Sequence, residues 1–301
     1  MRIQKTFAAM ALSLGVLAGG TNVAQAVPVA ADVVFIVDES GSMSGEHAWL
    51  SNMISSLESG LVAAGVGVSE NNRYGLVGYG ASTSHGRSGH QHNVGGSQWG
   101  SATEFATATN GLVLSGATED GWEAIDYFFD NYTLDADHAL NVVLVTDEDR
   151  DNTTNSVSYN SVLSQLTSNN ALLNSVINCN FADASSSRAI GVDADGNSYV
   201  ADGSGGYTTS TGGHQSGSCA GQSLAHYANM SWDSSGAAWD LNLLRAGGNT
   251  AASFTSAFVD IKVQEITQQP TQGGTVPEPA TLALMSLGLI GVGAAARRRK
   301  R

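Results

Sequence analysis

Asp38, Ser40 and Ser42 stand at alternate positions directly after the apolar run Val33-Val34-Phe35-Ile36-Val37. One carboxylate and two hydroxyls at that spacing offer oxygen donors only, a set that suits a hard cation such as Mg²⁺ better than Zn²⁺. A second run, Leu140-Asn141-Val142-Val143-Leu144-Val145, ends in Thr146-Asp147-Glu148-Asp149-Arg150-Asp151. Between the two, Gly116-Ala117-Thr118 leads into a helical pattern, where a threonine hydroxyl can cap free N–H groups or face a ligand. Turns rich in Asp, Ser and Gly also follow strands that bind nothing. The choice rests on whether the chain carries these groups to one place.

Both apolar runs are short and β-branched, as expected of strands buried on both faces of a parallel sheet. If they are neighbours, Asp38 and Asp147 share the carboxyl edge of that sheet, where open α/β sheets bind ligands. Thr118, at a helix start, can reach the same point. Asp38, Ser40, Ser42, Thr118 and Asp147 would then make a hard oxygen site with one position left for water or an outside carboxylate.

The remaining chain alternates in the same way. Trp49, Met53, Leu57 and Leu61 form the stripe of a helix over 45–64, closed by Gly65. Residues 73–79 read as a strand and 102–114 as a weak edge strand. Trp122, Ile125 and Phe129 line a second helix, and residues 156–169 form a third. Residues 176–181 are a strand with Ile177, Cys179 and Phe181 on one face. Ala251, Phe254, Phe258 and Ile261 mark a last helix capped by Asn249 or Thr250. The pattern predicts an α/β fold with a mostly parallel central sheet flanked by helices.

Two stretches break the rhythm. Residues 80–100 read as a solvated loop; its His85, His90 and His92 would need a further ligand and a firm framework to hold zinc. Residues 182–238 read as a long surface insertion with a hairpin at Asp195-Gly196. Asp193, Asp195 and Asn197 have the opening spacing of a calcium loop but lack its glycine and closing glutamate. The two cysteines, Cys179 and Cys219, form either one disulfide or two free thiols.

The 301-residue chain has a formal charge of −14 and 42% apolar residues, enough for a sizeable core. Of its 13 basic residues, Arg2, Lys5, Arg297, Arg298, Arg299, Lys300 and Arg301 sit at the two ends, against 27 acidic residues in all. The acidic body repels nucleic acid and attracts divalent cations. Residues 1–26 read as a signal peptide, with a charged start, a short apolar stretch and Ala24-Gln25-Ala26 as the cleavage pattern; an uncleaved anchor is the alternative. Residues 266–275 read as a linker. Pro277-Glu278-Pro279 follows, then the charge-free 280–296, long enough for a minimal transmembrane helix, then five basic residues on its cytoplasmic side. No Gly-x-Ser-x-Gly, metalloprotease or phosphate-loop motif is present, so no enzyme activity is expected.

Asp38-x-Ser40-x-Ser42, then Thr118, then Asp147 resemble the metal-ion-dependent adhesion site of the von Willebrand factor type A (VWA) family over residues 32–265. The resemblance implies a Rossmann-like three-layer fold with magnesium, manganese or calcium as cofactor. Ser40, Ser42 and Thr118 would touch the metal directly, and Asp38 and Asp147 would act mostly through water. The partner would be a protein or extracellular-matrix ligand whose carboxylate completes the shell. The 182–238 insertion and the extra charges Glu148, Asp149 and Asp151 depart from the family pattern. The tail at 276–301 resembles the PEP-CTERM sorting signal of Gram-negative bacteria. It implies export across the inner membrane, anchoring there, processing by an exosortase-type enzyme, and display at the cell surface or release. Two functions fit: metal-dependent adhesion, or a structural exopolysaccharide or biofilm matrix protein in which the metal only stabilises the fold.

Overall fold

A computed structural model describes residues 27–272 apart from 84 and 154. The expected signal peptide and the tail with its 280–296 span lie outside the described residues. Among the described residues, no helix is long and apolar enough to cross a membrane.

Strand β1 (Ala30–Asp38) is the middle of the molecule because all nine of its residues are buried. It pairs in parallel on one side with β2 (Arg73–Tyr79) and on the other with β5 (His138–Thr146). Short β3 (His90–His92) and β4 (Trp99–Gly100) pair antiparallel with β2. Strand β6 (Leu172–Ile177) continues the parallel sheet beyond β5. Asn178 separates β6 from β7 (Cys179–Ala182), so the strand expected over 176–181 is two strands in different sheets. Ile177, Cys179 and Phe181 nevertheless share one core.

The sheet separates two apolar layers, and the strand's period of two assigns its side chains to them. Val33, Phe35 and Val37 face α1 (Ser44–Ala63) and α7 (Gly248–Gln268), where Trp49 packs edge-on against Phe254 and Phe258. Val34 and Ile36 face α3 (Gly121–Asn131) and α4 (Tyr159–Ser168), against Ile125, Phe128 and Val162. Gly65, at φ 94°, ends the first helix as its position predicts.

Two expectations are corrected. Residues 102–114 contain no strand: Ser101 and Glu104 form a capping box that starts α2 (Ala102–Ala108). The last helix is not capped by Asn249 or Thr250; Gly247, at φ 70°, turns the chain into it, and Asn249 bonds to the Gly203 carbonyl instead.

The 182–238 segment is more than surface decoration. After β8 (Arg188–Ala189), strands β9 (Gly191–Asp193), β10 (Asn197–Ala201) and β11 (Tyr207–Thr211) extend the main sheet past β13 (Ala237–Asp240). That covers an edge that β13 would otherwise leave open. Tyr199 stacks on the fully buried Trp239. A separate three-stranded sheet joins β7 and β8 to β12 (His214–Cys219), with Cys179 and Cys219 bonded as a disulfide across it. A π-helical turn (Leu224–Ala228) and α5 (Asn229–Asp233) then return the chain to β13, which leads into α6 (Leu241–Arg245). The calcium-loop spacing in this segment is spent on a turn: Asp193 accepts the Asp195 and Asn197 N–H groups and the Tyr199 hydroxyl.

Candidate metal centre

Strands β1 and β5 are adjacent and end together, so their terminal side chains meet. Asp38 is fully buried at the end of β1; its Oδ1 accepts the Ser40 N–H at 2.7 Å and its Oδ2 accepts the Thr146 hydroxyl at 2.9 Å. Ser40 Oγ and Ser42 Oγ lie 3.1 Å apart, and Ser42 Oγ donates to Asp147 Oδ1 at 2.9 Å. The carboxylates of two separate strands are thus linked to the hydroxyls of the loop after β1. The backbone of Thr118 passes near Asp38, with Gly80 between them. Gly80, at φ 82°, takes a backbone conformation that favours glycine, and a Cβ there would stand a tight 3.1 Å from Asp38 Oδ1 and 3.8 Å from the Thr118 carbonyl. Thr118 does not cap the helix that follows; Asp120 does, accepting the Glu123 N–H.

The charge on this rim is poorly compensated. Burial, with the Asp147 charge adding to it, outweighs the Ser40 and Thr146 hydrogen bonds and pushes the Asp38 carboxyl up to about 6. Glu119 is buried, and neither Oε1 nor Oε2 has a hydrogen-bond partner. Burial, and then Asp38, Glu148, Asp151 and Asp147, push it up to about 8. Buried carboxylates without partners are costly, and a bound cation is one way to satisfy them. The donors are oxygens throughout, which fits a hard divalent ion.

Glu119 and two supports are not evident in the motif. Thr146 fixes Asp38 from the strand next door. Arg245 Nη2 holds Asp147 Oδ2 at 3.0 Å and the Ser42 carbonyl at 3.0 Å, while its Nε bonds Glu46 at 2.6 Å. The extra acids after Asp147 mostly brace loops. Asp149 accepts the Gln222 N–H, and Asp151 accepts the Glu119 N–H. The insertion contributes here too: His226 Nδ1 accepts the Arg150 N–H, and the Tyr227 hydroxyl accepts the Gly121 N–H. His47, on α1, donates Nε2–H to the Asp38 carbonyl at 3.0 Å.

A second cluster lies one residue away. The loop over 80–100 is not simply solvated, because pairing with β2 sets His90 opposite Gly78 and His92 opposite Leu76, on one face of the strand. Both aim Nε2 at the wholly buried Glu39 carboxylate, at 2.8 and 3.3 Å, and His85 Nδ1 reaches it at 3.1 Å. Burial works to raise the Glu39 carboxyl. The His90 and His92 nitrogens and the Val113 N–H outweigh it and hold Glu39 well below the usual carboxylate range.

The von Willebrand factor type A domain model matches residues 32–205, and the PEP-CTERM protein-sorting motif matches residues 275–300. No curated protein matches. Among solved structures, proximal thread matrix protein 1 of the mussel byssus is 12% identical, covering 50% of this chain and 36% of that one at a TM-score of 0.36. A second structure of that protein, with a zinc-occupied MIDAS motif, is 11% identical over the same shares at 0.38. An aerotolerance-related membrane protein from Bacteroides fragilis is 12% identical, covering 78% of this chain and 99% of that one at 0.40. This chain therefore spans about a third of the mussel protein's length. By the extent of the domain match and its sheet of mostly parallel central strands, the chain belongs to the von Willebrand factor type A family.

Proposed function

We propose that this chain is an exported, non-catalytic binding module. It holds one divalent cation, magnesium foremost, on Asp38, Ser40, Ser42, Thr118 and Asp147. It captures a carboxylate from a protein or matrix ligand at the cation's open position. The observation that supports it most is the continuous hydrogen-bonded path Ser40–Ser42–Asp147 between the ends of β1 and β5, beside a buried Glu119 with no partner. Serine and threonine hydroxyls neutralise little of the cation's charge, which leaves it attractive to an outside carboxylate. No histidine in the described residues hydrogen-bonds Ser40 or Ser42, as a serine nucleophile would require. The sorting motif supports export, exosortase processing and final display at the envelope.

Calorimetric titration of the purified full chain with Mg²⁺ tests the reading. One site per chain is expected, lost in Asp38→Ala; equal binding by both forms would remove the site from the account. Glu119 favours a second reading, since it stands inside the chain where it could complete the metal's shell itself. The cation would then be purely structural, as in a matrix protein. In that case Mg²⁺ raises the melting temperature, yet no carboxylate ligand is retained in a metal-dependent pull-down.

A further inference from the structure

We propose that Glu39, His85, His90 and His92 form a second metal site, closed and of zinc type, distinct from the oxygen rim. One ligand atom from each residue lies within 4.8 Å of all the others. Ligands at about 2.0–2.1 Å from a tetrahedral zinc stand roughly 3.3 Å apart. The contacts to Glu39, 2.8 Å from His90, 3.1 Å from His85 and 3.3 Å from His92, lie at or within 0.5 Å below that spacing. The three imidazole rings are mutually 5.2 to 5.3 Å apart, as three ligands around one centre would be.

Three further observations point to a cation. The His90 Nδ1–H is taken by the Ser88 carbonyl at 3.0 Å, which leaves Nε2 as the ring nitrogen that faces the carboxylate. That is the outer hydrogen bond a metal-ligating histidine usually makes. His92 is about nine-tenths buried, and the Nε2 atoms of His90 and His92 both lack a properly aligned hydrogen-bond partner. Glycine at position 78 keeps the space open: a Cβ there would stand 2.6 Å from Glu39 Oε2 and 2.7 Å from each Nε2.

Three imidazoles and one carboxylate make a nitrogen-rich shell that selects zinc or its neighbours over magnesium. Four protein ligands leave no vacant position, so the role is structural. Glu39 lies between Asp38 and Ser40, so the metal would pin the 80–100 loop to the tip of β1 and stiffen one wall of the oxygen rim.

The test is cobalt substitution of the chelator-stripped full chain, followed by zinc competition against a chromophoric chelator. One equivalent of Co²⁺ should give the intense visible bands of a tetrahedral site and be displaced by Zn²⁺ but not by Mg²⁺. His85→Ala removes the most exposed of the four ligands, so the fold should survive, and zinc affinity should fall by at least about tenfold. His90→Gln should abolish the bands. Ser42→Ala should leave them intact, which separates this site from the oxygen rim. Absence of the bands in the unsubstituted chain, or bands that persist in both histidine variants, would overturn the proposal. So would bands lost only in Ser42→Ala, which would assign the ion to the rim.

Discussion

At the residue scale the decisive groups are hydroxyls and carboxylates that share one small volume. Ser42→Ala deletes the hydroxyl joining Ser40 to Asp147. Its side chain is exposed, so the fold should hold while Mg²⁺ affinity drops at least about tenfold, near 1.4 kcal/mol. A pH dependence follows from the crowded charges. Asp38 and Glu119 have folded-state values above their unfolded ones, near 6 and 8, because of burial and then neighbouring acids. A raised carboxyl favours folding below its unfolded value and loses that contribution as pH rises through the folded one. The metal-free chain should therefore lose thermal stability between about pH 4 and 8. Mg²⁺ should restore it at the upper end, with about 2–4 °C in Tm for each kcal/mol recovered. Glu119→Gln should flatten the profile, as thermal melts across that range would show.

The motif residues stood out in the sequence because alternate oxygens directly after an apolar run are a local pattern; that Ser42 meets Asp147 follows only from the pairing of β1 with β5. Glu119 did not stand out, because an acid just before a helix reads equally well as a cap. The histidines were not legible either. Positions 85, 90 and 92 acquire a fourth partner only through pairing with β2, and that partner, Glu39, occupies a position between motif residues where any side chain is allowed.

At the scale of elements, the apolar strands and the amphipathic helices announce themselves by period, and the structure has most of them where the pattern puts them, the stretch 176–181 being divided between β6 and β7. What failed was context. The residues after Ser101 form a helix because a capping box satisfies its first N–H groups. The strands β9 to β11 are polar on average, and they belong to the sheet only because β13 offers them an edge. Arg245 supports Asp147 from α6, at the far end of the sequence. Arg245→Gln should leave the fold intact but loosen Asp147, weakening Mg²⁺ binding a few-fold. Calorimetry on the variant checks this, and unchanged affinity would show that Arg245 serves only Glu46. The disulfide belongs to this scale too. Cys179 and Cys219 close a loop with a sequence separation of 40. Replacing both by serine should cost about 2–4 kcal/mol, measured by denaturant unfolding with and without reductant.

At the scale of the molecule, an acidic body lies between two ends that carry basic clusters, and the far end matches a sorting motif. Replacing Pro277, Glu278 and Pro279 by alanine should trap the chain in the inner membrane, as fractionation would show. The π-helical turn and the residues just before it brace the segments that follow Thr118 and Asp147. The most direct test of the rim is water-proton relaxation on the Mn²⁺-loaded chain. One tightly held Mn²⁺ with exchangeable water is predicted, its enhancement falling when a carboxylate such as acetate is added and disappearing in Asp147→Ala. Enhancement untouched by Asp147→Ala, or no bound Mn²⁺ at all, would contradict the account.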